Sequence, residues 1–281
     1  MTPSTEMPRL RVIRTLGGCG GTLLARLFAA IPHAVLLSET NPRSSLLYGG
    51  TLNPIAQIKK WHPTLVDSVV GFDEYEIGYP PRFGDLLERV DLACTAQGSV
   101  LVVRDFNYAD FVGVPYLWPV PSDFSLDRAV EGRFRIVDFA FVREPSAQLA
   151  SLRTHAAIGP VLSAERFLDG YVAFLAALNG RPVFRYEDLV SNPGESFRAM
   201  CAALDVPFDE TALERHASVG AITGNMNRRD ERAISAPPPS AAAMYAHDEL
   251  VRFPRYDALL TALGYAPSKS AQGRGRDESP A

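Results

Sequence analysis

A chain of 281 residues with 47% hydrophobic and 21% charged residues has the composition of a globular protein, which excludes the disordered and membrane-embedded classes. A formal net charge of -4 argues against wholesale attraction to nucleic acid or an anionic membrane, so any anion site has to be a local pocket. Cys19, Cys94 and Cys201 show no paired or metal-ligand spacing, and no apolar run approaches the roughly 18 residues of a spanning helix, so a reduced protein in the cytoplasm is expected.

After a tail at residues 1–8, residues 9–16 carry branched side chains and run into Gly17-Gly18-Cys19-Gly20-Gly21-Thr22. Leu23, Leu24, Leu27 and Phe28 then recur at helical spacing, Pro32 closes that helix, and residues 34–38 read as a second buried strand ending at Glu39. Residues 41–98, broken by Pro54, Pro63, Pro80 and Pro81, form an expected acceptor-binding insertion with a helical stretch at 83–94. Residues 99–104 and 135–142 are further buried strands, each ending in charge. Helices follow at 146–155 and 163–178, then a fifth strand at 182–186 and a helix opened by Asn192-Pro193. The polar stretch 220–240 reads as a functional loop, 248–263 as one last amphipathic helix, and 266–281 as a disordered tail. Alternating strands and helices imply a single α/β domain over 9–265, a doubly wound parallel sheet of about five strands with helices on both faces.

A glycine-rich turn between a buried strand and a helix leaves backbone N–H groups free and aims the positive end of the helix dipole at one point. Gly18, Cys19, Gly20, Gly21, Thr22 and Leu23 are therefore the expected phosphate cradle, with the Thr22 hydroxyl as a further donor. The bland alternative is a tight strand-to-helix turn. A kinase-type loop would need Gly-Lys-Ser/Thr where the chain has Gly20-Gly21-Thr22, and the dinucleotide spacing would need glycine at 23, which is Leu23.

The loop resembles the 5′-phosphosulfate loop of the sulfotransferase family, whose Ser-Gly-Thr-Thr-Leu-Leu type sequence is matched by Cys19-Gly20-Gly21-Thr22-Leu23-Leu24. A second likeness is a strand ending in Arg143, with Ser151 on the next helix; in that family such a pair holds the 3′-phosphate of 3′-phosphoadenosine 5′-phosphosulfate. A third is Tyr186-Glu187-Asp188-Leu189 followed by Asn192-Pro193, where the resemblance places Tyr186 near the adenine; Glu187 and Asp188 read as turn and helix-dipole residues. The stretch 220–229 resembles the segment that closes over the nucleotide, making Arg228 and Arg229 candidate contacts against a plainer reading as solvated loop arginines. Together these motifs span residues 9–265 in the family's order and imply a P-loop-like fold.

The resemblance implies in-line sulfuryl transfer to a hydroxyl or amine of a small-molecule acceptor, without a metal. Positioning and charge stabilisation would supply the catalysis, with the Thr22 and Leu23 N–H groups taking the growing charge. The family's loop lysine corresponds here to Gly18, so a replacement cation is needed: Arg104 is preferred over Arg14, Lys59 and Lys60. The histidine that many relatives carry after the third strand is absent, and other relatives use a glutamate just after the second strand, so the resemblance makes Glu39 the first candidate base, against a plainer reading as an N-terminal charge on the next helix, and Asp105 the second. His33, His62 and His155 read as structural, and Cys19 as the equivalent of the family's loop serine rather than a nucleophile. The competing functions are a P-loop nucleotide kinase or hydrolase and a non-catalytic nucleotide-binding relative.

Overall fold

The computed structural model describes residues 6–44, 50–224, 234–235 and 240–268. Five strands, β1 (Arg9–Thr15), β2 (Ala34–Thr40), β3 (Val100–Phe106), β4 (Arg135–Val142) and β5 (Val183–Arg185), form one parallel sheet in the order β2-β3-β1-β4-β5. The helices are α1 (Gly21–Ala29), α2 (Pro54–Trp61), α3 (Pro80–Ala96), α4 (Tyr108–Phe111), α5 (Ser125–Val130), α6 (Pro145–Arg153) and α7 (Ala164–Leu178). They continue with α8 (Tyr186–Ser191), α9 (Pro193–Ala203), α10 (Ala212–Arg215), α11 (Ala241–Leu250) and α12 (Arg255–Ala262). This is the doubly wound sheet expected from the alternating pattern.

Strand alternation divides the core. Ile13, Leu36, Val102, Phe139 and Phe141 point to one face, where Leu24 and Phe28 of α1 and Phe197, Met200 and Cys201 of α9 cover them. Leu10, Val12, Leu37, Leu101 and Val103 point to the other, under Phe83, Leu87 and Val90 of α3. Ala140 and Val142 also face that side, under α6, α7, α11 and α12. The helix after β1 and the helix after β4 thus lie on opposite faces, and β1 pairs directly with β4. Their C-terminal ends open a crevice at the point where the winding reverses, the usual ligand position in such sheets.

Two boundaries differ from expectation. The single last helix is two, α11 and α12, because Pro254 has no N–H to continue a helical ladder and instead stands at the start of α12. Strands β2 and β3 run two residues further than the apolar pattern suggests, since Arg104, Asp105 and Thr40 are buried polar residues whose ladder continues through the charged ends. The expected tail from 269 onward, residues 1–5, and most of 225–240 lie outside the described residues.

Candidate functional site

The glycine loop is bent by backbone conformations that side chains resist: φ is +81° at Gly17, +68° at Gly18 and +88° at Gly20. Gly20 is the N-cap of α1 and has no side chain with which to cap that terminus, which leaves first-turn N–H groups such as that of Thr22 to an anion. Leu23 is the exception, because its N–H already donates to the Gly20 carbonyl at 3.0 Å. The loop is also packed on three sides. A Cβ at Gly18 would lie 2.9 Å from the Gln148 carbonyl, a Cβ at Gly20 would run into the Tyr186 ring, and one at Gly21 would run into Arg104 Nη1. The buried Gln148 amide on α6 donates to the Gly17 carbonyl at 2.8 Å and fixes the loop to the helix after β4. Gly18 therefore has neither the backbone angle nor the space for a lysine.

On the β4 and β5 side, the Arg143 guanidinium stacks 4.8 Å over the Tyr186 ring, which also lies against Gly20. Arg143 Nε is buried without a hydrogen-bond partner among the described residues, and Ser151 follows on α6. Both neighbours of this pair are braced. Glu144 caps α6 through the Ser146 and Ala147 N–H groups and accepts from the Tyr256 hydroxyl at 2.9 Å. Glu187 accepts from the Glu144 N–H at 3.1 Å and from the Tyr265 hydroxyl at 2.6 Å, and Asp188 is a bidentate partner of Arg185. Glu187 and Asp188 are thus engaged as structural groups, and the C-terminal helices hold the strand ends that carry Arg143 and Tyr186.

Arg104 stands at the end of β3 on the α1 face, buried against Gly21. Its Nε and Nη2 donate to Ser38 Oγ at 3.3 and 3.0 Å, Nη2 also reaches Thr223 Oγ1 at 3.3 Å, and Nη2 lies 3.2 Å from Glu39 Oε1. Glu39 is the bulged residue where the β2–β3 register shifts, and its φ of +55° is a left-handed conformation that costs a non-glycine residue about 1–3 kcal/mol. The Glu39 side chain remains 16% exposed, so it can meet both Arg104 and a ligand. Thr22 faces Gly224, where any Cβ would strike the Thr22 hydroxyl. Burial pushes the Cys19 thiol up to about 11 against the lowering pull of Arg104 and Arg143, which keeps it protonated and unsuited to nucleophilic attack.

No protein-family model matches the chain, and no curated protein sequence matches it significantly. Solved structures do. The sulfotransferase domain from the curacin biosynthetic pathway aligns with a TM-score of 0.60 at 18% identity, covering 94% of this chain and 100% of that one. The sulfotransferase domain from the Synechococcus PCC 7002 olefin synthase aligns with a TM-score of 0.58 at 17% identity, covering 95% and 99%. The fold is that of the sulfotransferases.

Within this sulfotransferase fold, the sequence-derived candidates separate into two groups. Gly18, Cys19, Gly20, Gly21, Thr22, Glu39, Arg104, Arg143 and Tyr186 gather around the crevice. Asp105 does not, because strand alternation turns it to the opposite face, where it is fully buried and accepts from Asn41 at 2.8 Å and Asn107 at 2.7 Å. Burial, and next Asp110, push its carboxyl up to about 7. Arg14 is likewise committed, to Asp138, Asp127 and Asp105, while Lys59 pairs with Glu74 on the surface and Lys60 lies over Trp61. Arg228 and Arg229 lie outside the described residues. Gln148 and Ser38 carried no motif signal, and Thr223 lies in the 220–229 stretch whose arginines alone were singled out. Their roles come from chain segments up to 185 positions apart, as in the Thr223–Ser38 contact. Among the described residues no group of His, Cys, Asp or Glu could hold a metal, and no helix is long and apolar enough to cross a membrane.

Proposed function

We propose that this chain is a sulfotransferase that moves the sulfuryl group of 3′-phosphoadenosine 5′-phosphosulfate to a hydroxyl or amine of a small-molecule acceptor. The observation that carries the reading is the Tyr186 ring wedged between Gly20 and the Arg143 guanidinium, which joins the glycine loop to an arginine whose buried Nε has no hydrogen-bond partner among the described residues. A nucleotide with phosphates at both ends of its ribose suits that spacing of one cradle and one cation. Arg143 and Ser151 would hold the 3′-phosphate, the Gly20–Thr22 backbone the 5′-phosphate, and Tyr186 the base.

Glu39 accepts the proton of the attacking hydroxyl or amine. The acceptor atom bonds to sulfur as the bond from sulfur to the bridging oxygen breaks, and the electron pair leaves on the 5′-phosphate. Arg104, across Gly21, and the N-terminus of α1 stabilise that leaving charge, which gives Arg104 the work of the absent loop lysine.

Calorimetric titration with adenosine 3′,5′-bisphosphate and with 5′-AMP tests the reading, since the two differ only in the 3′-phosphate. Losing one charged hydrogen-bond partner is worth about 1.5–3 kcal/mol, so the bisphosphate should bind ~10–100-fold more tightly and Arg143→Ala should erase the difference. Equal binding of the two nucleotides, or binding of neither, overturns it.

A further inference from the structure

We infer that Gln57 is a positioning residue that holds the Glu39 carboxylate against Arg104, an inference that rests on the sulfotransferase reading for its catalytic consequence only. Strand β2 is an edge of the sheet, so the outward N–H and C=O groups of its residues have no strand to pair with. At Ser38, the residue immediately before Glu39, the fully buried Gln57 side chain takes the place of that missing strand. Its Oε1 accepts from the Ser38 N–H at 2.7 Å and its Nε2 donates to the Ser38 carbonyl at 2.7 Å. Nε2 also donates to the Thr51 carbonyl at 2.7 Å, which ties the contact to the segment leading into α2.

Beyond Glu39 the chain is pinned again. Asn41 Nδ2 donates to Asp105 at 2.8 Å and to Asp110 at 2.9 Å, and its Oδ1 accepts from the Arg43 N–H at 2.9 Å and the Ser125 hydroxyl at 3.1 Å. The backbone between these anchors has one residue too many for the β2–β3 ladder, and that residue is Glu39, at φ +55°. A lone glutamate would relax out of the left-handed region; with both flanks fixed, relaxation requires Ser38 or Asn41 to move. Ser38 is also the residue whose Oγ receives Arg104, so one amide sets the height of both members of the Glu39–Arg104 pair.

Gln57→Met keeps the length and most of the volume of the side chain and deletes all three hydrogen bonds. Its crystal structure decides the positioning claim: Glu39 leaves the left-handed region and separates from Arg104 beyond salt-bridge distance, whereas a Glu39 still at its present φ and 3.2 Å from Arg104 overturns the claim. Gln57→Glu, which retains the acceptor to the Ser38 N–H, serves if the methionine variant does not fold. Kinetics with 3′-phosphoadenosine 5′-phosphosulfate and phenol as a probe acceptor read the consequence. Gln57→Met lowers kcat ~10–100-fold with the nucleotide KM unchanged, because a misplacement of about 1 Å costs rate and not nucleotide binding. Combining it with Glu39→Gln gives a loss smaller than the sum of the two, since the changes share the function of Glu39; fully additive losses overturn a role exerted through Glu39. If the wild-type protein transfers nothing to phenol while Glu39 still moves in the Gln57→Met crystal, the positioning holds and the failure belongs to the functional reading.

Discussion

Two buried arginines sit side by side in the sheet and are used in opposite ways. Arg14 of β1 pairs in register with Asp105, and its neighbour Ile13 with Arg104 of β3, so the two guanidinium groups leave the same level of the sheet toward opposite faces. Arg14 meets Asp138 at 2.5 Å, Asp127 at 2.6 Å and Asp105 at 3.4 Å, and lies 4.0 Å over the Phe124 ring. Burial pulls its pKa down, and Asp127, Asp105 and Asp138 more than reverse this, so it stays charged and saturated. Arg104 has one carboxylate and two hydroxyls around it, and rests against Gly21, where any Cβ would strike it. A guanidinium enclosed by three carboxylates is a brace. One with a single carboxylate beside an uncapped helix N-terminus still has charge to offer a ligand.

Removing the brace should have the largest effect on the fold. Arg14→Met leaves the fully buried Asp105 without its cation and Asp127 and Asp138 with Arg181 alone, and chemical denaturation should show a loss of about 3–5 kcal/mol. A loss under about 1 kcal/mol would show that the cluster simply keeps protons and needs no arginine.

Arg104→Met tests the other half of the comparison. With phenol as the probe acceptor it should lower kcat ~10²–10³-fold, the range found on removing a preorganised charge-stabilising donor. Its stability loss should be well below that of Arg14→Met, since only Glu39 loses a charged partner and that carboxylate reaches solvent. Equal damage to stability by both variants would erase the distinction between brace and reagent.

The smallest effect concerns pH. Burial first, then their mutual repulsion on the Asp105 side, hold Asp105 near 7, and burial holds Asp110 near 6. The folded protein therefore binds protons that the unfolded chain, with carboxyls at about 4, has released. The contribution of this pair to stability is complete below about pH 4 and is lost as pH rises toward 7. Asp110→Asn should flatten that decline between pH 5 and 7.5 in guanidinium titrations; a wild-type protein that gains stability from this pair over the same window contradicts it.

Much of the architecture was legible because apolar runs and glycine punctuation are local signals. The stretch 135–142 is read from its branched and aromatic residues and is β4, and the glycines after β1 announce both the turn and the helix that follows. Pro254 was equally local, and the long amphipathic pattern across it obscured the break between α11 and α12. The choice between Glu39 and Asp105 was not legible in that way. Both are acids at strand ends, and what separates them is the face to which the ladder turns each side chain and a one-residue bulge at Glu39.

The sequence alone determined that a glycine turn lies between a strand and a helix, and that an arginine and a tyrosine end the strands after it, because these depend on residue type and spacing along the chain. Only the tertiary structure decided that Arg104 and not Arg14 meets that turn, and that Gln57, Gln148 and Thr223 hold the residues around it in place. The reason is physical: a side chain's partners in a parallel sheet arrive by crossover from distant segments, so whether a charge is spent or free is settled by packing, which no local pattern encodes.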